Sequence, residues 1–144
     1  MSRKAATMTR IGKGVPSLLL TASLLSLGAC GFGGPAYGPA SDAAAVVEMT
    51  NGLAFQPDAV RIEAGETVEW RNRSLFTHTV TDDPARAKDA ADAQLPESAP
   101  SFSARVGPGE VYRHMFTVPG TYRYFCIPHE GRGMHGQVIV VPPA

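Results

Sequence analysis

The chain has 144 residues, enough for one domain, and 44% of them are apolar, enough for a packed core. Its 13 basic and 13 acidic residues balance, so the overall charge gives no sign of nucleic-acid binding. Two cysteines exclude a disulfide-rich scaffold and a four-cysteine zinc or iron–sulfur site, and 15 glycines with 12 prolines argue against long helices.

Residues 1–29 are predicted to be an export signal. Residues 1–14 contain four basic residues and no acidic one, and the next fifteen residues are apolar or small. A spanning helix needs about 20 apolar residues, so the run fits the hydrophobic region of a signal peptide instead. Without this leader 13 − 4 = 9 basic residues face 13 acidic ones, which gives the remainder a formal net charge of −4.

Cys30 ends the leader in the sequence LGAC, which resembles a bacterial lipobox, where the signal is cut before a cysteine that then receives lipid. We predict that Cys30 is lipidated and that residues 30–45 are a flexible Gly/Pro/Ala tether. The protein would then be exported and membrane-anchored, on the outer side of the cytoplasmic membrane or in the periplasm. Two alternatives are an ordinary leader cysteine and a disulfide between Cys30 and Cys126.

Residues 46–142 are predicted to form one all-β domain, because eight short strand-like stretches follow one another with turn residues between them. The stretches are VVEMT (46–50), AVRIE (59–63), TVEWRN (67–72), HTVTD (78–82), FSARV (102–106), VYRHMFTV (111–118), TYRYFC (121–126) and QVIVV (137–141). This spacing is typical of a β-sandwich. Residues 83–101 interrupt it and are expected to be a solvated loop with about two helical turns, capped by Asp83 before Pro84 and without chemistry.

The strongest chemical signal is the loop CIPHEGRGM (126–134), which joins the last two predicted strands. It offers the thiolate of Cys126, the imidazole of His129 and the thioether of Met134, and a second imidazole, His78, begins the strand HTVTD. Two imidazoles with a thiolate and a long axial methionine are the blue-copper arrangement. Zinc rarely accepts methionine, so the donor set favours copper.

These residues resemble plastocyanins and related cupredoxins. The stretch GTYRYFCIPHEGRGMHGQVIVV is similar to the end of those proteins, HTVT to their upstream histidine segment, and FQPDAVRIEAGETVEWRNRS to their early strands. The resemblance implies a cupredoxin-like Greek-key β-sandwich of about eight strands and one type 1 copper held by His78, Cys126, His129 and Met134. It also implies single-electron transfer between larger redox partners. The lipobox makes the chain look like membrane-tethered prokaryotic members.

The strand TYRYFC turns alternate side chains to opposite faces, so Tyr122 and Tyr124 should face inward with Cys126 and Phe125 should face the other way. These two tyrosines and Trp70 are expected to be core aromatics.

The four histidines are expected to differ in role. His129 lies in a loop of small residues and should reach solvent, whereas His78 begins a strand and should be more enclosed. We expect His114 to be structural or exposed, and His135 to point away from the metal.

Two other function classes have less support. An enzyme domain with further copper clusters would need more than the four histidines present, and Cys126 is flanked by Phe125 and Ile127 rather than by histidines. Copper storage or delivery proteins commonly carry exposed Met/His-rich tracts, which neither the tether nor residues 83–101 contain. We therefore expect a monomeric electron carrier, not an enzyme, that serves membrane-associated redox protein partners and binds no nucleic acid. Copper storage or delivery is the alternative.

Overall fold

The computed structural model describes residues 41–144, so the predicted leader, Cys30 and most of the tether lie outside the described residues. The described part contains nine strands: β1 (Ala45–Met49), β2 (Phe55–Gln56), β3 (Ala59–Glu63), β4 (Thr67–Asn72), β5 (His78–Thr81), β6 (Ser103–Val106), β7 (Val111–Met115), β8 (Gly120–Phe125) and β9 (His135–Val141). Across residues 41–144, no helix has the length and apolar character needed to cross a membrane.

The strands build two sheets, one in the order β2-β1-β4-β7 and one in the order β3-β9-β8-β5-β6. β1 runs parallel to β4 and β3 parallel to β9, while the other pairs are antiparallel. One buried cluster contains side chains of both sheets, including Val47 and Val68 from the first and Ile62 and Val138 from the second. The predicted all-β sandwich is therefore confirmed, with nine strands rather than eight.

Trp70 lies at the centre of the core and is completely buried. Its ring centroid lies 5.3 to 6.2 Å from the rings of Phe102, Tyr112, Phe116 and Tyr124. Such aromatic packing buries a large apolar area and fixes the spacing of the two sheets. Trp70, Tyr122 and Tyr124 are all buried, as the sequence predicts.

Two strands differ from the sequence-based expectation. The two-residue strand β2 was not predicted, because a stretch of that length carries no alternation. β7 ends at Met115, three residues before the predicted end, because Met115 pairs with Thr67, the first residue of β4. Beyond this pair, Phe116 still exchanges backbone hydrogen bonds with Gly65 and Glu66, but these residues belong to the turn before β4.

Residues 83–101 form two short 3-10 turns, Pro84–Arg86 and Ala90–Asp92, and Asp83 caps the first by accepting from the Ala85 N–H at 3.0 Å. The two turns and the cap are thus confirmed. The expectation of a solvated loop is wrong only where the segment meets the sandwich, at Ala93 and Gln94. Ala93 is buried, and Gln94 exchanges backbone hydrogen bonds of 3.1 and 2.8 Å with Arg123 of β8. β5 pairs with β8 only through Thr81 and Phe125, which leaves this edge of β8 open to Gln94.

Candidate metal centre

Three predicted ligands converge where β5 begins and β8 ends. His78 is the first residue of β5, Cys126 directly follows β8, and His129 lies in the 3-10 turn Ile127–Arg132. Cys126 Sγ is 3.6 Å from His78 Nδ1 and 3.3 Å from His129 Nδ1, and the two Nδ1 atoms are 3.2 Å apart. The three donor atoms therefore form a small triangle that faces one point.

The size of this triangle fits a single metal ion. Nitrogen and sulfur donors lie about 2.0–2.3 Å from a first-row metal ion, so neighbouring donors around one ion are about 3.3–3.8 Å apart. The observed edges agree with that range to within about 0.1 Å, and a thiolate with two imidazoles is a donor set that copper prefers. The residues present thus fit copper.

Met134 ends the loop and is completely buried. Its N–H donates to the carbonyl of His129 at 3.3 Å, and its own carbonyl accepts from the N–H of Cys126 at 2.9 Å. These bonds bring Met134 back to the end of β8. The role of its thioether, like the assignment of the full set of four ligands, stays a prediction.

Ser74 supports His78 on the side of the ring away from the other donors, where its Oγ lies 2.8 Å from His78 Nε2. Because Nδ1 faces the other donors, Nε2 carries the proton and donates to Ser74, which in turn donates to Asn72 Oδ1 at 2.7 Å. Burial lowers the pKa of His78, and the neighbouring charge of His129 lowers it further. A lowered pKa favours the neutral ring, which is the form that binds a metal.

Cys126 is supported by Thr79, the second residue of β5. The Thr79 N–H donates to Cys126 Sγ at 3.3 Å, and the Thr79 hydroxyl accepts from the Ile127 N–H at 2.7 Å. Burial raises the pKa of the Cys126 thiol, and the bonds from Thr79 oppose that rise. One threonine thus stabilises the thiolate and joins β5 to the start of the loop.

The exposures of the histidines follow the sequence-based expectation. His78 is completely buried and His129 is partly exposed. His135 is exposed and does not belong to the donor triangle. His114 is half-buried, with its ring centroid 4.8 Å from that of Phe102, which agrees with a structural role.

Cys126 is a free, buried thiol whose Sγ faces two imidazoles. This placement gives no support to a disulfide with Cys30, which lies outside the described residues.

Sequence reasoning missed Asn72, Ser74, Thr79 and the buried Glu130. A serine four residues before His78 was the one available signal for the support of that ring. The others depend on contacts between distant segments, which no local pattern encodes.

Residues 42–141 match the family of copper-binding proteins described as the plastocyanin/azurin family. The plastocyanin of Scenedesmus fuscus is 41% identical over 88 residues, which cover 61% of this chain and 87% of that protein. The chloroplastic plastocyanin of Pisum sativum is 35% identical over 130 residues, or 87% of this chain and 77% of that protein. A solved structure of an oxidised amicyanin variant aligns with a TM-score of 0.54 and 27% identity over 71% of this chain and 86% of that one.

Proposed function

The chain belongs to the plastocyanin/azurin family of copper-binding proteins, and from that premise we propose that it is a blue copper protein that carries single electrons. The observation that carries the proposal is the triangle formed by Cys126 Sγ and the Nδ1 atoms of His78 and His129. Copper supplies a one-electron couple between Cu(I) and Cu(II) when it is bound. The chain's part is to hold the donors still, because movement of ligands would raise the barrier to transfer.

The surroundings of His129 suit contact with a protein partner. His129 is the one partly exposed member of the donor triangle. Two apolar side chains, Leu75 and Phe76, precede the buried ligand His78 and are 82% and 50% exposed. Exposed apolar side chains just before one ligand, together with a partly exposed second ligand, favour brief docking of a redox protein.

A carrier is favoured over copper storage or delivery because His78 and Cys126 are completely buried. A delivery protein must hand over the ion itself, whereas a carrier keeps the ion and passes an electron. An enzyme with a second metal cluster has no support either. Within residues 41–144, the His78, Cys126 and His129 group is the one cluster of three or more His, Cys, Asp or Glu side chains close enough to hold a metal.

The chain enters the sandwich far from the metal site, which suits a membrane tether. The Ala44 N–H donates to the Thr67 carbonyl, at the opposite end of β4 from Asn72, which supports His78 through Ser74. Five strand steps separate Thr67 from Asn72, or about 17 Å. A tether that joins β1 at this end leaves the metal end of the sandwich uncovered, which suits contact between His129 and membrane-associated redox partners.

Reversible reduction tests the carrier function against storage or delivery. One electron equivalent of reductant should bleach the Cu(II) protein, and oxidation should restore the full colour through repeated cycles while a chelator in solution stays metal-free. Copper that moves to the chelator in each reduced phase would contradict the carrier and favour delivery.

Membrane fractionation tests the anchor. Cys30→Ala should move the protein from the membrane to the soluble fraction, or block its maturation, without changing its visible spectrum. A variant that stays membrane-bound after a salt wash would contradict lipidation and leave an uncleaved leader as the anchor.

A further inference from the structure

A buried carboxylate in the metal loop joins that loop to residues 83–101. Glu130 directly follows His129 and is only 5% exposed. Its Oε1 accepts the backbone N–H of Lys88 at 2.6 Å and that of Asp89 at 3.0 Å. Its Oε2 is buried as well and has no hydrogen-bond partner within residues 41–144. A carboxylate is costly to bury, and here its hydrogen bonds go to a separate segment of the chain rather than to its own turn.

Residues 83–101 are fixed at two other places, so they form a firm support for the loop. At one end Asp82 Oδ1 accepts from the Ser101 hydroxyl at 2.6 Å and from the Phe102 N–H at 2.9 Å. In the middle Gln94 pairs with Arg123 of β8. The segment therefore begins next to the buried Asp82 and is fixed again at Gln94 and Ser101, after its contact with Glu130.

The metal loop needs an outside support after His129, because its own hydrogen bonds are local. The His129 N–H donates to the Cys126 carbonyl at 2.9 Å, and the Gly133 N–H donates to the Glu130 carbonyl at 2.8 Å. Thr79 holds the loop from outside at Ile127, before His129. On the other side of His129, the outside support comes from the N–H groups of Lys88 and Asp89, which donate to Glu130.

We infer that Glu130 is a positioning residue that fastens residues 83–101 to the metal loop and thereby fixes the ring of His129. The inference rests on the proposed function only in taking His129 as a metal ligand. Hydrogen bonds to a charged acceptor are about twice as strong as neutral ones, so two of them give a firm attachment. Groups that orient metal ligands from behind commonly change metal affinity by about 10- to 100-fold when they are removed.

The test compares Glu130→Ala with Glu130→Gln, whose amide oxygen keeps the acceptor without the charge. Glu97→Ala is the matched control, because Glu97 is an exposed glutamate of residues 83–101, the segment that Glu130 contacts. Amide hydrogen exchange at Lys88 and Asp89 and the ring NMR signals of His129 are read on metal-free protein. Loss of copper to a chelator is read on the Cu(II) form.

In Glu130→Ala we expect amide exchange at both positions to accelerate by about tenfold or more. The His129 ring signals should broaden or split, and copper loss should become about tenfold faster. Glu130→Gln keeps only a neutral acceptor and should therefore lie between Glu130→Ala and wild type in all three readouts, and Glu97→Ala should match wild type. Lys88→Pro removes one donor without changing the metal loop, so it should shift the same readouts by less and serves if Glu130→Ala does not fold.

Unchanged amide exchange in Glu130→Ala would overturn the attachment. If amide exchange became faster while the His129 ring signals and the rate of copper loss stayed as in wild type, the positioning role would be overturned. A wild-type chain that stays colourless with Cu(II) would instead contradict the proposed function, and the metal-free readouts would still decide the role of Glu130.

Discussion

His78 and Cys126 lie at the ends of the neighbouring strands β5 and β8, whereas His129 lies in the turn Ile127–Arg132 outside both sheets. We call these the strand half and the loop half of the site. The strand half is completely buried, and the loop half reaches solvent through His129. Strand ends place the first two donors, whereas the third lies in a turn that Glu130 joins to residues 83–101.

The two halves meet different requirements of an electron carrier. A buried, strand-held pair keeps its geometry through both oxidation states, because the sheet around it is close-packed. A loop-held, partly exposed ligand gives a partner access to the site. The comparison predicts that changes in the strand half alter copper binding most, and that changes in the loop half can be compensated from solution.

The largest contrast is expected between His78→Gly and His129→Gly. Both variants should lose the intense colour with Cu(II), because each removes one of three strong donors. Added imidazole should restore the colour in His129→Gly, whose vacated position reaches solvent, and not in His78→Gly. Absorption during an imidazole titration checks this. Rescue of both variants to the same extent would contradict the difference in solvent access between the two positions.

Loss of the hydrogen bond that supports His78 in the strand half should have the second-largest effect. Ser74→Ala removes the acceptor for the His78 Nε2–H, so copper affinity should fall by about 10- to 100-fold. Competition with a chelator of known affinity measures the change, and Ser103→Ala, at an exposed serine of β6, is the control. If the two variants bound copper equally well, Ser74 would not orient His78.

Thr79 joins the strand half to the loop half, and its replacement should have a smaller effect. Thr79→Val leaves the Ile127 N–H without its acceptor, which should lower the free energy of unfolding of the metal-free protein by about 1–3 kcal/mol. Thr79→Ser keeps the hydroxyl and should recover most of that loss. Denaturant unfolding of the three proteins gives the comparison, and a valine variant as stable as the serine variant would contradict the role of the hydroxyl.

The smallest effect on binding is expected for Met134→Leu. The colour should remain while the reduction potential rises, because loss of a weak axial donor disfavours Cu(II) more than Cu(I). Potentiometric titration followed at the visible band measures the shift. A fall in potential would show that Met134 is not the axial ligand.

The strands were predictable because alternation of apolar and polar residues marks them one by one. Val60 and Ile62 against Arg61 and Glu63, for example, indicate β3 without any tertiary information. The short β2 carries no such alternation, and the early end of β7 depends on where β4 begins. Both follow from pairing between strands that are distant in sequence.

The convergence of Cys126 and His129 was predictable from their spacing within one loop, whereas the role of Met134 in the same loop stays a prediction. The supports behind the donors were not predictable. A glutamate in a glycine-rich loop looks like a solvated residue, but Glu130 is buried and accepts hydrogen bonds from residues 83–101. The cover itself is fixed by single contacts such as the pairing of Gln94 with Arg123, which leave no periodic signal.

The central claim is that Cys126 is the thiolate ligand of one type 1 copper. Titration of the metal-free, full-length protein with Cu(II), followed by visible absorption, tests this claim most directly. We predict an intense blue thiolate-to-copper band that saturates at about one copper per chain and is absent in Cys126→Ser. A colourless wild-type protein, or a Cys126→Ser variant that stays blue, would contradict it.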